Sequence, residues 1–234
     1  MRPIACFVFL CGVAAAQSEP QPTPVDPGPP PSDAVILFDG KALDAWVTSE
    51  GKPIGCTIDN GVMACKTGVG NIYSKSTFRS AQIHLEFSIP NMPGEQSQTR
   101  GNSGVYLQGR YEIQILDSYQ NPTYPTGALG ALYGQAAPLV NAARPPETWQ
   151  SYDIIFNAPK CDGAAVADPG AVTVVLNGVL VQNHTVIQHE SRVCDFGDAG
   201  PLMLQDHNFD GAPVTVMRFR NIWYRPLEPE AGVR

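Results

Sequence analysis

GNSGVYLQGRYEIQILDSY, residues 101–119, decides the fold. Val105 and Leu107, then Tyr111, Ile113 and Ile115, alternate with Tyr106, Gln108, Arg110, Glu112, Gln114 and Leu116. Side chains along a strand point to opposite faces with period two. The stretch therefore reads as a strand kinked at Gly109, with one apolar face and one face of aromatic, amide and charged groups. Its two arms are Gly104–Gln108 and Tyr111–Leu116, and outward from it similar short segments recur between turn residues: Ala34–Phe38, Cys56–Ile58, Val62–Cys65, Gln82–Ser88, Ser151–Asn157, Val172–Leu176, Val179–Asn183 and Thr215–Tyr224. Asn60-Gly61 and Asn177-Gly178 are two-residue hairpin signals, because both central positions of a type I′ turn need positive φ. No window of twelve or more residues shows a 3.6 period, and 22 Gly with 22 Pro suit many turns. The expectation is an all-β sandwich of two antiparallel sheets. The long connections 91–101 and 118–146 are expected to wall a groove.

The ends read differently. Met1-Arg2, an apolar run from Ile4 to Val13 and Ala14-Ala15-Ala16 predict a signal peptide over residues 1–16, hence export to the periplasm or beyond the cell. Residues 17–33 hold seven prolines in seventeen positions and read as a semi-rigid spacer. The domain is placed at 34–228, with a tail at 229–234. A net charge of −7 without a basic cluster argues against nucleic acid and anionic membranes as partners, and no further stretch reaches transmembrane length. Four cysteines remain after the signal. In CTIDNGVMAC the Asn60-Gly61 turn sets Cys56 opposite Cys65 at a non-hydrogen-bonded position, where Cα atoms lie ~4.5 Å apart. That pairing leaves Cys161 for Cys194. A four-cysteine zinc site would need a close C-x₂₋₄-C pair, which is missing.

The polar face at Tyr106, Gln108, Arg110, Glu112 and Gln114 suits sugar recognition: planar amides and guanidinium meet hydroxyls, and the ring stacks on C–H faces. A solvated outer face, ordinary in an antiparallel sandwich, stays open beside it. In LMLQDH, Gln205 and His207 share a face while Asp206 points away or ends the strand. A histidine there can act as acid or base near neutral pH. His84 reads as structural, and His184 and His189 as exposed. Ordinary glycoside hydrolysis uses two carboxylates ~5–9 Å apart. Glu112 and Asp117 are separated by an odd number and fall on opposite faces, so a pair would have to be completed by Glu86, Asp153 or Asp206. There is no G-x-S-x-G elbow, H-E-x-x-H, P-loop or dinucleotide fingerprint. No cofactor is expected; an oxygen-ligated divalent ion in the loops stays open.

Three phrases taken together, LFDGKALDAW (37–46), GNSGVYLQGRYEIQILDSY and GPLMLQDHNFDGAPVTVMRFRNIWYRP (200–226), resemble the secreted 3-keto-disaccharide hydrolase domain family over Val35 to Pro226. The resemblance implies a concanavalin-like jelly roll and an oligosaccharide or glycoside substrate oxidised at C3. A C3 ketone acidifies the C2 proton, so one base and one enolate stabiliser suffice to expel the C1 substituent, and addition of water to the glycal-like product then gives net hydrolysis. Glu112 or His207 is the expected base, and Arg110, with Gln205 or Arg100, the expected stabiliser. Tyr106, Gln108, Gln114 and Asp206 complete the expected substrate contacts. A non-catalytic carbohydrate-binding module and a conventional glycosidase are the competing readings.

Overall fold

The structure, a computed structural model, describes residues 24–188, 193–195, 199–208, 211 and 213–227. The expected signal peptide, the first part of the spacer, His189 and the C-terminal tail lie outside the described residues. Among the described residues fifteen strands follow one another: β1 Val35–Phe38, β2 Trp46–Val47, β3 Thr57–Asp59, β4 Val62–Lys66, β5 Ile72–Phe78, β6 Ala81–Ser88, β7 Ser103–Leu107 and β8 Tyr111–Ile115. Then come β9 Trp149–Asn157, β10 Lys160–Asp162, β11 Ala165–Asp168, β12 Ala171–Leu176, β13 Val179–Val186, β14 Gly200–Leu204 and β15 Val216–Pro226. No described helix is long and apolar enough to cross a membrane.

Two antiparallel sheets pack face to face as a jelly-roll sandwich. One holds eight strands in the order β13-β12-β9-β6-β15-β4-β3, with β1 also on β15; the other runs β2-β5-β14-β7-β8. The alternation of β6 shows why: Ala81, Ile83, Leu85 and Phe87 are fully buried, while Gln82, His84 and Glu86 face outward. Val105, Leu107, Ile113 and Ile115 supply the facing layer from β7 and β8. β15 serves two partners along one edge, β4 beside 216–219 and β1 beside 222–224. Its register against β6 slips between Arg220 and Trp223, where Asn221 sits at φ 49°. This bulge bends the strand between its two partners.

Both expected disulfides are present. Cys56–Cys65 has a Cα separation of 4.4 Å, and Cys161–Cys194 ties the β10–β11 hairpin to the turn at 193–195.

Two expectations are corrected. Residues 104–116 do not form one kinked strand. Gln108 (φ 55°) and Gly109 (φ 67°) both adopt left-handed backbone, and with Arg110, whose amide donates to Leu107 O at 3.1 Å, they form a three-residue hairpin loop between β7 and β8. Tyr106 therefore stands directly opposite Glu112, and Gly104 opposite Gln114. The second correction is β5, a central strand with no counterpart among the expected segments. Its inward positions include Ser74, so the apolar alternation is broken. The Ser74 hydroxyl accepts from Leu202 N (2.9 Å) and donates to Ser76 O (2.7 Å), repairing the ladder where β5 and β14 slip register.

Candidate active site

One lateral row crosses the solvent side of the five-stranded sheet. From β5 to β8 it pairs Tyr73 with Met203, Met203 with Tyr106, and Tyr106 with Glu112. Tyr133 extends the row, its amide donating to Glu112 O at 2.9 Å. Tyr133 and Tyr124 share a hydroxyl hydrogen bond of 2.6 Å, and burial with this bond pushes Tyr124 up to about 12. Tyr124 and Tyr133 are both exposed, and their charges, were they ionised, would act on Glu112 and Tyr106 respectively. The result is a tyrosine-lined surface around one half-buried carboxyl.

Glu112 is the chemical centre of this row. The Tyr106 hydroxyl donates to its Oε2 at 2.8 Å, and Gln205 Nε2 donates to that same hydroxyl oxygen at 3.1 Å. The direction of the chain is fixed, since an amide nitrogen cannot accept. Burial raises the Glu112 carboxyl to about 7, against the lowering effect of the Tyr106 bond. Tyr106 itself is raised far above the ordinary phenol, by burial and then by the neighbouring Glu112, so it remains a neutral donor. A carboxyl poised at neutrality beside a permanent donor is suited to take and return a proton.

Of the expected site residues, Tyr106, Glu112 and Gln205 are brought together, and His207 lies two residues beyond Gln205, lining a small cavity that Gln205 also lines. Burial lowers the His207 imidazole below its ordinary value, so it is neutral at neutral pH. Gln108, Arg110 and Arg100 are placed elsewhere, whereas Gln114 and Asp206 lie close by with their side chains engaged; Asp206 lines the same cavity as Gln205 and His207. Gln108 is buried in the hairpin turn, with Nε2 on Phe78 O (3.2 Å) and Arg79 O (3.4 Å). Arg110 leans on Gln108 Oε1 (3.5 Å) at the same end and bonds the Tyr111 hydroxyl. Gln114 keeps to the Glu112 face but is covered, donating to Gln98 Oε1 (3.1 Å) and Gly127 O (3.3 Å). Arg100 is paired with buried Asp117 (2.8 Å) and bonds Tyr119 O. Asp206 Oδ2 accepts from Gly68 N (2.9 Å) and Gly70 N (2.8 Å), pinning that loop. The stabilising role expected of Arg110 and Arg100 thus loses its geometric basis.

The long loops do supply walls: Tyr124 and Tyr133 come from 118–146, and Gln98 from the 3-10 turn Ser97–Thr99. Loop tyrosines carry no periodicity, and the sequence reading missed them. The carboxylates that would complete a conventional pair are also engaged. Asp117 belongs to Arg100, while Glu86 (with Arg220, 2.6 Å) and Asp153 (with His84, 2.7 Å) lie on the outer face of the other sheet. No group of three or more His, Cys, Asp or Glu side chains is gathered for a metal among the described residues.

A jelly-roll sandwich with a shielded carboxyl and a tyrosine surface on one sheet is the layout of a carbohydrate-active domain. The chain belongs to the family of 3-keto-alpha-glucoside-1,2-lyase-like domains, matched over residues 33–225. It is similar to a crystal structure from Parabacteroides distasonis ATCC 8503 that carries a provisional glycosyl hydrolase name: 41% identity, TM-score 0.82, covering 91% of this chain and 95% of that one. A second structure from the same organism, named in the same way, shares the fold at 19% identity and TM-score 0.61, covering 84% of this chain and 94% of that one. No curated protein matches significantly.

Proposed function

We propose that this chain cleaves the C1 bond of glycosides already oxidised at C3, with Glu112 as the base that takes the C2 proton. The carrying observation is the Glu112 carboxyl, raised to about 7 by burial and held by Tyr106. The family's 1,2-lyase-like character and the absence of Glu86, Asp117 and Asp153 from the face support the same reading. Removal of the C2 proton places the electron pair on the C3 oxygen as an enolate. One N–H of Gln205 Nε2 is spent on Tyr106, and the second is the donor left to meet that oxygen. Collapse of the enolate expels the C1 substituent and leaves an unsaturated 3-ketone with a C1–C2 double bond. Tyr73, Tyr124 and Tyr133 offer rings on which sugar C–H faces stack. The two disulfides support an exported protein, since such bonds persist in oxidising compartments.

The test is incubation of the chain with a 3-keto-disaccharide beside its unoxidised parent, followed by mass spectrometry. Consumption of the keto sugar alone is expected. Turnover of the parent would make this a conventional glycosidase, and binding without turnover a recognition module.

A further inference from the structure

The two tyrosines at the outer end of the Glu112 row hold a proton that the cleavage step leaves unused. Ile113 and Leu132 form an antiparallel bridge, so the chain at 131–133 lies along β8 as a further strand would. Tyr133 therefore stands directly across from Glu112 and shares its face, with its amide on Glu112 O at 2.9 Å. The Tyr124 and Tyr133 hydroxyls lie 2.6 Å apart, their rings meeting edge to face at 6.3 Å. Among the described residues these hydroxyls bond only each other. Each carries one proton and the shared bond uses one, so one O–H of the pair is left for another partner. After burial, the bond to Tyr133 is what pushes Tyr124 up to about 12; Tyr124 is thus the donor, and the spare proton belongs to exposed Tyr133. The pair is within electrostatic reach of the base: Tyr124 feels the Glu112 charge, and Tyr106 feels Tyr133. At 2.6 Å the shared bond has the length of a charge-assisted O–H···O⁻ bond, suited to hold a phenolate once the spare proton has gone.

We propose that Tyr133 is the general acid of the cleavage, giving its hydroxyl proton to the departing C1 oxygen while Tyr124 positions that hydroxyl and stabilises the phenolate it becomes. The inference rests on the proposed function and adds to it the group that lets an alcohol leave. Base and acid sit on adjoining chain segments, roughly 5 Å apart in the sheet, and the hydrogen and the oxygen they address are on the adjoining carbons C2 and C1. Glu112 takes the C2 proton, and the electron pair moves onto the C3 oxygen. As the enolate returns to a ketone, that pair becomes the C1–C2 double bond and the C1–O bond breaks. The pair from the C1–O bond takes the Tyr133 proton, so the substituent departs as a neutral alcohol. The Tyr133 phenolate then recovers, through solvent, the proton held on Glu112. Both groups return to their starting states with no net gain or loss of protons.

Leaving groups of different acidity test this. A 3-keto methyl glycoside must expel an alcohol and needs the acid, whereas its 4-nitrophenyl counterpart expels a stable anion and does not. Both are given to the wild type, Tyr133→Phe and Tyr124→Phe, which keep the aromatic rings; melting temperatures show which variants are folded. Expected is a fall of about a hundredfold or more in the methyl-to-nitrophenyl ratio of kcat/KM for Tyr133→Phe, the scale of a lost general acid. Tyr124→Phe should shift the ratio the same way by a smaller factor, and it carries the test should Tyr133→Phe not fold. In D₂O, methyl glycoside recovered from Tyr133→Phe should carry deuterium at C2 above the enzyme-free level, because Glu112 still removes the proton while the alcohol cannot leave. An equal loss on both substrates, or an unchanged ratio in a folded variant, would overturn the acid and leave the cleavage standing. A wild type that neither cleaves the keto glycosides nor exchanges the C2 proton would instead sink the proposed function itself.

Discussion

The Glu112 carboxyl occupies the space that a side chain at Gly104 would fill: a Cβ there would stand 2.3 Å from Glu112 Oε1 and 3.0 Å from Cδ and Cγ. Gly104 lies diagonally across the β7–β8 ladder from Glu112, two residues before Tyr106 on the same face. The missing side chain lets the carboxyl lie flat against the sheet, where burial raises its pKa and Tyr106 can reach it.

Gly104→Ala tests that cradle. The far end of a flexible glutamate gives way before the backbone does, so the fold survives while the carboxyl is displaced. Turnover should fall on the order of a hundredfold, the penalty typical of misplacing a reacting group by about 1 Å. A matching loss of melting temperature would show that the glycine serves folding instead.

The pH dependence separates the two expected bases. If Glu112 takes the proton, kcat/KM rises with pH through an inflection near 7, where that carboxyl ionises. A limb carried by His207 would instead lie below the ordinary histidine value of 6.5, because burial disfavours the imidazolium. Glu112→Gln should remove the limb near 7 and lower kcat/KM by about 10²–10⁴-fold, the usual contribution of a general base.

How far the sequence foretold this site depends on which contacts are local. Alternation alone set Tyr106 and Glu112 on one face, and that holds, although by a different geometry: they are cross-strand neighbours, not members of one strand. Gln-Gly is a weaker hairpin signal than Asn-Gly, so the turn at Gln108-Gly109 read as a kink, and Gln108 and Arg110 were kept on a face they do not share. The Asn60-Gly61 turn, by contrast, fixed the Cys56–Cys65 pairing. Arg100 was assigned to the site because nothing local tells which carboxylate an arginine will meet; Asp117, seventeen residues on, claims it. Tyr124 and Tyr133 belong to a loop, where neither period nor propensity says which side chains return to the sheet.

Tyr106→Phe should leave its mark on the same pH profile. Its hydroxyl stabilises the ionised carboxylate at 2.8 Å and opposes the effect of burial. A hydrogen bond to a charged group contributes about 1.5–3 kcal/mol, so its loss should move the inflection upward from 7 by about one pH unit or more. An inflection that stays put would mean that Glu112 does not set it.

Stability should follow the same carboxyl in the opposite sense from most acidic groups. The folded-state pKa of Glu112, about 7, lies above its ordinary value of 4.5. Between these two values the folded chain binds more protons than the unfolded chain, so the free energy of unfolding falls as pH rises. Below that window both states are protonated and the penalty vanishes; above it the penalty is complete. Glu112→Gln removes the ionisable group, and near pH 8 the variant should be the more stable protein by on the order of 1 kcal/mol, after allowing for screening of a partly exposed group. For a domain of this size that is a rise of about 2–4 °C in melting temperature, shrinking to nothing near pH 4. Thermal unfolding of both proteins across that range provides the measurement. A gap that does not depend on pH would show that the carboxyl is not held in the raised state, and would remove the physical basis for calling Glu112 the base.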